Sequence, residues 1–318
     1  MTADTLLRRS GTLGPYLRRY AHPAQLGIKI NLYRGAEVDG LSAAIEVPDL
    51  DDSPIECVMV GDSYFMTHLG RASTVLDDPV EREWALSTMV DLVVEVRRAL
   101  DARFTRDRRP FLLADLPDGS FDDERSALLA SDRFMARGAD AVKVEVAGWE
   151  TLRSVEAVAE RGIPVLAHLG YTPQRGRLTR YGDSYDEALG IFEMARRARD
   201  AGACGLVLEM VSEQVNEALS RPHRDGLPTY SVFSGRARWG GQSLNIWDAV
   251  VKPAKPRRYF PPTAVIEAAE VGDKYDPELI ADRMRELLRL TLAGWFPTSP
   301  PAALKPGELA DVDPWESA

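Results

Sequence analysis

Five apolar stretches of this chain end in side chains that can do chemistry. Val58-Met59-Val60 runs into Gly61, Asp62 and Ser63. Phe111 to Ala114 stops at Asp115, and Ala141 to Val144 carries Lys143 and stops at Glu145. Two more end at His168 and at Glu209. Gathered at one place they would bring four carboxylates together, and like charges in a low-dielectric cleft repel strongly. Such a cluster calls for a divalent cation, a cationic partner or a protonated member. Asp62, Asp115 and Glu145 offer only oxygen, a donor set that favours Mg²⁺ over zinc or copper. A cation chelated by two substrate oxygens suits a 2-oxo acid: it polarises the ketone and stabilises an enolate, while a carboxylate outside the metal sphere moves the proton. Glu209 is the candidate for that base. Lys143 shares a strand face with Glu145, two residues on, and could hold a substrate carboxylate. Each residue alone also has an ordinary reading. Gly-Asp-Ser and Asp-Leu-Pro make turns, Glu209 could pair with an arginine, and a histidine in an apolar strand is more often a hydrogen-bonded core residue. Five coincident strand ends favour a shared site.

Positioning them requires parallel strands with their C-terminal ends on one side. The pattern predicts strands over 28–33, 55–61, 110–115, 141–145, 164–168, 205–209 and 227–233. It predicts helices over 79–104, 121–138, 149–161, 186–201, 213–219 and 277–293, the first opened by Asp77-Asp78-Pro79. Residues 34–54 read as a long connection, and the proline-rich, basic 251–263 as a loop crossing the barrel. Strand-helix alternation repeated at least seven times demands a parallel sheet with right-handed crossovers. With 318 residues and no Gly-x-Gly-x-x-Gly phosphate turn on any strand, an α/β (β/α)8 TIM barrel fits better than an open sheet. The expected organisation is an N-terminal arm or helix over 1–25, a single catalytic barrel over 26–300 and a C-terminal tail over 301–318.

Composition narrows the partners. A formal net charge of -10 argues against nucleic acid and anionic membranes, both of which recruit a positive surface. The two cysteines, Cys57 and Cys204, each begin an apolar run and read as small core residues in a reducing compartment. No uncharged apolar run approaches the roughly 20 residues needed to span a bilayer, and residues 1–27 have no continuous apolar core between their arginines. The expectation is a cytoplasmic protein acting on a small molecule.

The stretches VMVGDS, LLADLP (112–117), GADAVKVE (138–145), GIPVLAHLGYTPQ (162–174) and GLVLE (205–209), in this order and spacing, resemble ketopantoate hydroxymethyltransferase. The likeness runs from about residue 55 to 215 and returns more weakly in GQSLNIWDAV and AGWFP. It implies a barrel of the phosphoenolpyruvate/pyruvate superfamily, a homo-oligomer, Mg²⁺, and transfer of a one-carbon unit from 5,10-methylenetetrahydrofolate to the β-carbon of a 2-oxo acid. By the same resemblance Asp62, Asp115 and Glu145 would form the metal site, Ser63 and Lys143 would contact substrate, and Glu209 would accept the proton; Asp62, Asp115 and His168 are further candidates for substrate binding.

The chain also departs from that family. Tyr64-Phe65-Met66 replaces the usual Leu-Gly-Met, RGRLTRYGDSYDEA replaces a Gly-Gly-x-x-Val-Gln-Gly-Arg loop, and Ser231 to Gly235 replaces a Gly-Ile-Gly-Ala-Gly strand. Asn31-Leu32-Tyr33-Arg34 stands where the family has Thr-x-Tyr-Asp. These changes predict retained enolate chemistry on an altered substrate or with an altered donor, in pantothenate biosynthesis or in specialised metabolism. Tyr64 and Phe65 are candidates for shaping the acceptor pocket, and Arg34 and Arg236 for binding an extra anionic group. Two other readings compete: a carbon-carbon lyase or aldolase of the same superfamily, weakened by the missing Lys-x-x-x-Cys-x-x-His signature, and a non-catalytic ligand-binding barrel.

Overall fold

The structure is a computed structural model describing residues 27–47, 49, 55–176, 181–235, 237–245, 276–293, 304–305 and 307–316. Eight parallel strands close on one another in chain order: β1 (Ile28–Asn31), β2 (Ile55–Val60), β3 (Phe111–Asp115), β4 (Ala141–Glu145), β5 (Val165–Gly170), β6 (Gly205–Glu209), β7 (Thr229–Val232) and β8 (Gly241–Asn245). β8 pairs with β1, so no sheet edge is left. The helices between them are α1 (Gly35–Ile45), α2 (Tyr64–Thr67), α3 (Pro79–Arg103), α4 (Glu124–Ala136), α5 (Trp149–Glu160), α6 (Tyr185–Asp200) and α7 (Glu213–Ser220), with α8 (Pro277–Leu292) following the barrel. Local chemistry fixes their starts. The Asp78 carboxylate accepts from the Val80 amide ahead of Pro79, and Asp123, Ser184, Ser212 and Asp276 cap α4, α6, α7 and α8 in the same way.

Strand alternation divides the interior into two cores. Ile28, Ile30, Val58, Val60, Leu112, Val142, Val144, Leu206 and Leu208 point outward and pack against the helices. Cys57, Met59, Phe111, Leu113, Ala141, Leu166, Val207 and Tyr230 point inward and fill the barrel's lower half together with Cys204. Burial pushes the Cys204 thiol up to about 12, in keeping with a small apolar core residue. The next inward layer is polar, so the chemistry sits on an apolar floor.

Three elements differ from the sequence-based expectation, the one-turn α2 directly after Ser63 being the smallest. Residues 34–54 contain α1, whose mid-helix Gly40 reads as a breaker; a Cβ there would lie 2.4 Å from Cγ2 of Ile280, so the glycine serves the close crossing of α1 and α8. The eighth strand, GQSLN, carries almost no apolar signal because Ser243 and Asn245 face the barrel cavity. The tail is not detached over its described part: Leu304, Leu309 and Trp315 are buried, and Arg196 and Arg199 of α6 donate to the carbonyls of Pro314 and Trp315. Residues 1–25, Arg236 and the 251–263 loop lie outside the described residues. None of the described helices is long and apolar enough to cross a membrane.

Candidate active site

All five polar strand ends open into one cavity at the C-terminal mouth of the barrel, with a free volume of about 660 Å³ measured out to its opening. Asp62, Ser63, Asp115, Lys143, Glu145, His168 and Glu209 all line it. The residues below each of them along the strand are apolar and locked in a core, which holds the reactive atoms on rigid backbone.

A buried ion pair joins Lys143 Nζ to Asp115 Oδ1 at 2.8 Å. Burial alone would depress the Lys143 ammonium, but the charges of Asp115, Glu145 and Asp62 outweigh it and hold the group above the ordinary lysine range. Asp62 shows the opposite face of this crowding: burial, then the charges of Asp115 and Glu145, push its carboxyl well above the usual range, and Lys143 and the Gln174 amide offset only part of that. Gln174 Nε2 donates to Asp62 Oδ2 at 2.9 Å and its backbone N–H donates to Glu145 Oε2 at 3.2 Å, tying the loop after β5 to two of the carboxylates.

The three carboxylates fit an oxygen-seeking cation. Glu145 Oε1 and Gln174 Oε1 are buried acceptors with no hydrogen-bond partner, a costly condition that a cation or its waters would relieve. Among the described residues only His223, Asp313 and Glu316 bring ligand atoms all within 4.8 Å of one another, so Asp62, Asp115 and Glu145 form an open set and not a closed cage. Mg²⁺ ordinarily takes one or two carboxylates and keeps several waters, which suits an open set.

Toward β5 and β6, His168 Nδ1 lies 3.2 Å from Lys143 Nζ and 3.7 Å from Glu145 Oε1, and its Nε2 lies 3.3 Å from Glu209 Oε2. An ammonium only donates, so in the neutral ring Nδ1 accepts from it and the proton sits on Nε2, on the side of Glu209. Burial and Lys143 lower the His168 pKa, but the carboxylates of Glu145 and Glu209 raise it above the ordinary value on balance. Just beyond Glu209 and Val232, the non-glycine residues Met210 (φ 52°) and Phe233 (φ 50°) adopt left-handed backbone. Strain of this kind costs about 1–3 kcal/mol per residue and clusters where a site must be shaped.

Just after β2, the Ser63 hydroxyl lies 2.8 Å from the Tyr33 hydroxyl, which accepts from Asn245 Nδ2 at 3.2 Å. With its lone pair so engaged, Tyr33 is placed to donate to Ser63, whose own proton can then be offered to the cavity that Ser63 lines.

The other candidates are not brought to the cavity wall. Tyr64 stacks on His68 with ring centroids 4.9 Å apart, and His68 in turn pairs with buried Glu37 at 2.8 Å. Phe65 packs 5.4 Å from Trp84 in the helix-sheet core. Arg34 binds both carboxylate oxygens of Glu95 on α3 at 3.0 Å. Sequence reasoning missed Gln174 as a site residue, although it ends one of the quoted motifs. It also missed Lys29, Asn31, Ser243 and Asn245, which line the cavity from β1 and β8; a lysine at the second position of IKINLY, among isoleucines, was the available signal.

A sequence profile of ketopantoate hydroxymethyltransferase matches residues 42–264. The 3-methyl-2-oxobutanoate hydroxymethyltransferase of Aeropyrum pernix is 37% identical over 205 residues, covering 63% of this chain and 68% of its own. The protein of the same name from Campylobacter jejuni subsp. jejuni serotype O:6 is 34% identical over 255 residues, covering 78% and 82%. Among solved structures, phosphoenolpyruvate phosphomutase from Streptomyces platensis subsp. rosaceus is similar with a TM-score of 0.48 at 13% identity, over 73% of this chain and 79% of that one.

Proposed function

Because this chain belongs to the ketopantoate hydroxymethyltransferase family, a family of enzymes, we propose that it adds the methylene carbon of 5,10-methylenetetrahydrofolate, with a hydroxyl taken from water, to the β-carbon of a 2-oxo acid through an enolate, releasing tetrahydrofolate. The observation that carries this reading is the convergence of Asp62, Ser63, Asp115, Lys143, Glu145, His168 and Glu209 in one buried cavity. Asp62, Asp115 and Glu145 would hold Mg²⁺, which when bound supplies a Lewis acid for the keto oxygen.

The protein's own groups do the rest. Ser63 donates to the substrate carboxylate, and Lys143, kept charged by three surrounding carboxylates, balances negative charge near the head of the acid. Glu209 takes the proton from the β-carbon, and the His168 ring, with Nε2 3.3 Å from Glu209 Oε2, lies beside the carboxylate that does so. Gln174 holds Asp62 in place. The strained turn at Phe233 shapes the wall beside the β-carbon, and the one at Met210 follows Glu209 directly.

Incubation with Mg²⁺, 5,10-methylenetetrahydrofolate and 2-oxoisovalerate or a related acid, followed by mass spectrometry and NMR, tests the proposal. The expected product carries one added CH₂O bonded at the β-carbon, and a chelator abolishes its formation. Cleavage of a 2-oxo acid with no adduct would move the protein to the lyase reading instead.

A further inference from the structure

The arc of the cavity wall between β7 and β2 is made by β8 and β1. Lys29 on β1 points inward, level with Cys57 on β2 and Ser243 on β8, and is 1% exposed. Its ammonium donates to Asn31 Oδ1 at 2.7 Å and approaches Met59 Sδ, a weak acceptor, at 3.5 Å. An ammonium has three donors, and among the described residues this one forms no ion pair, unlike Lys143 with Asp115. A buried cation paired only with an amide oxygen and a thioether is unfavourable, and a carboxylate would relieve it. Burial drops its pKa to about 8.

The path of a bound acid can be read from the strand order. The head-binding groups sit on β2, β3 and β4 and the base on β6, so the substrate chain beyond the β-carbon runs toward β7, β8 and β1. That side offers Val232 and Phe233, then Ser243, Asn31 and Lys29.

We infer that the Lys29 ammonium, flanked by Asn31 and Ser243, binds a second carboxylate at the far end of the substrate, making the preferred acceptor a 2-oxo dicarboxylate instead of a branched-chain 2-oxo monoacid. The inference rests on the enolate reading for the position of the head group. Lys29 acts as a specificity residue and takes no part in moving the proton. It fills the role that the sequence suggested for Arg34, which is bound to Glu95.

Titration calorimetry in the presence of Mg²⁺, with 2-oxoglutarate, 2-oxoadipate and 2-oxoisovalerate, tests this on the unaltered protein and on Lys29→Met. The unaltered protein is expected to bind one of the dicarboxylates roughly tenfold or more tightly than the monoacid. Lys29→Met is expected to weaken dicarboxylate binding by roughly ten- to a hundredfold while leaving the monoacid unchanged or improved. The ligand comparison in the unaltered protein decides the matter even if the variant folds poorly: monoacid binding as tight as dicarboxylate binding overturns the inference, as does an equal loss of both in the variant. Exchange of the β-proton in D₂O keeps the two readings apart. Lys29-dependent dicarboxylate binding with no exchange of any acid sinks the enolate reading and keeps this one. Exchange of 2-oxoisovalerate, with dicarboxylates bound no more tightly, does the reverse.

Discussion

Replacing Lys29 by methionine removes a buried positive charge while keeping an unbranched side chain of similar length. The ammonium titrates near 8 in the folded chain because burial penalises its charged form; the charge of Lys143 adds to this, and Cys57, Asp115 and Glu209 oppose it. In the unfolded chain it titrates near 10.4. The folded value is therefore the lower one, and between the two the unfolded state binds more protons. Stability must then rise with pH across that window. A depression of about 2.5 units corresponds to about 3 kcal/mol by which the charged ammonium penalises the fold near neutrality, a penalty that disappears by about pH 10.5. Methionine relieves it at the expense of the hydrogen bond to Asn31, about 1 kcal/mol. The variant should thus be more stable than the unaltered protein by about 2 kcal/mol near pH 7 and lose that advantage as the pH rises through 8 to 10.5. Urea denaturation of both proteins, followed by tryptophan fluorescence along a pH series, measures the difference directly, and titrations common to both cancel. A stability difference that does not change with pH, or an unaltered protein that is the more stable one near neutrality, would refute the reasoning.

Three further outcomes follow from the geometry. Asp115→Asn removes the partner of Lys143 and one of the proposed cation ligands; added Mg²⁺ at about a hundred times its Kd should stabilise the unaltered protein by about 2.7 kcal/mol, and the variant should lose most of this, as read by thermal unfolding. Gly170 sits at φ +91° where β5 ends, and a Cβ there would lie 2.3 Å from the Glu209 carbonyl oxygen; Gly170→Ala should cost more than about 2 kcal/mol and lower turnover by displacing the base, measured as unfolding free energy and kcat. Gly40→Ala should cost about 1–3 kcal/mol by forcing α1 off Ile280 of α8, with kcat per folded molecule unchanged, and Ile280→Ala in the same chain should recover part of the loss.

The sequence made the barrel legible wherever burial left a periodic mark. Strands β2 to β6 are outward-facing aliphatics alternating with inward-facing core residues, and their reactive ends interrupt that alternation abruptly enough to be seen as a set. The pattern failed at β8, whose inward residues are polar because they face the cavity, and at α1, where a glycine demanded by a neighbouring helix looks the same in sequence as one that ends a helix. Tyr64 and Phe65 follow Asp62 and Ser63 directly, but the intervening turn sends their rings toward His68 and Trp84. Lys29 was hidden for a related reason: a lysine between isoleucines reads as the solvent face of an edge strand until closure of the barrel turns that face inward.

The central claim is that Glu209 takes the β-proton of a 2-oxo acid held at the Asp62, Asp115 and Glu145 site. Proton NMR in D₂O with Mg²⁺ and no one-carbon donor isolates that step. The account predicts enzyme-dependent deuterium exchange at the β-carbon that falls by at least roughly a hundredfold in Glu209→Gln, with binding of the acid retained. Exchange in the variant at the rate of the unaltered protein would contradict it.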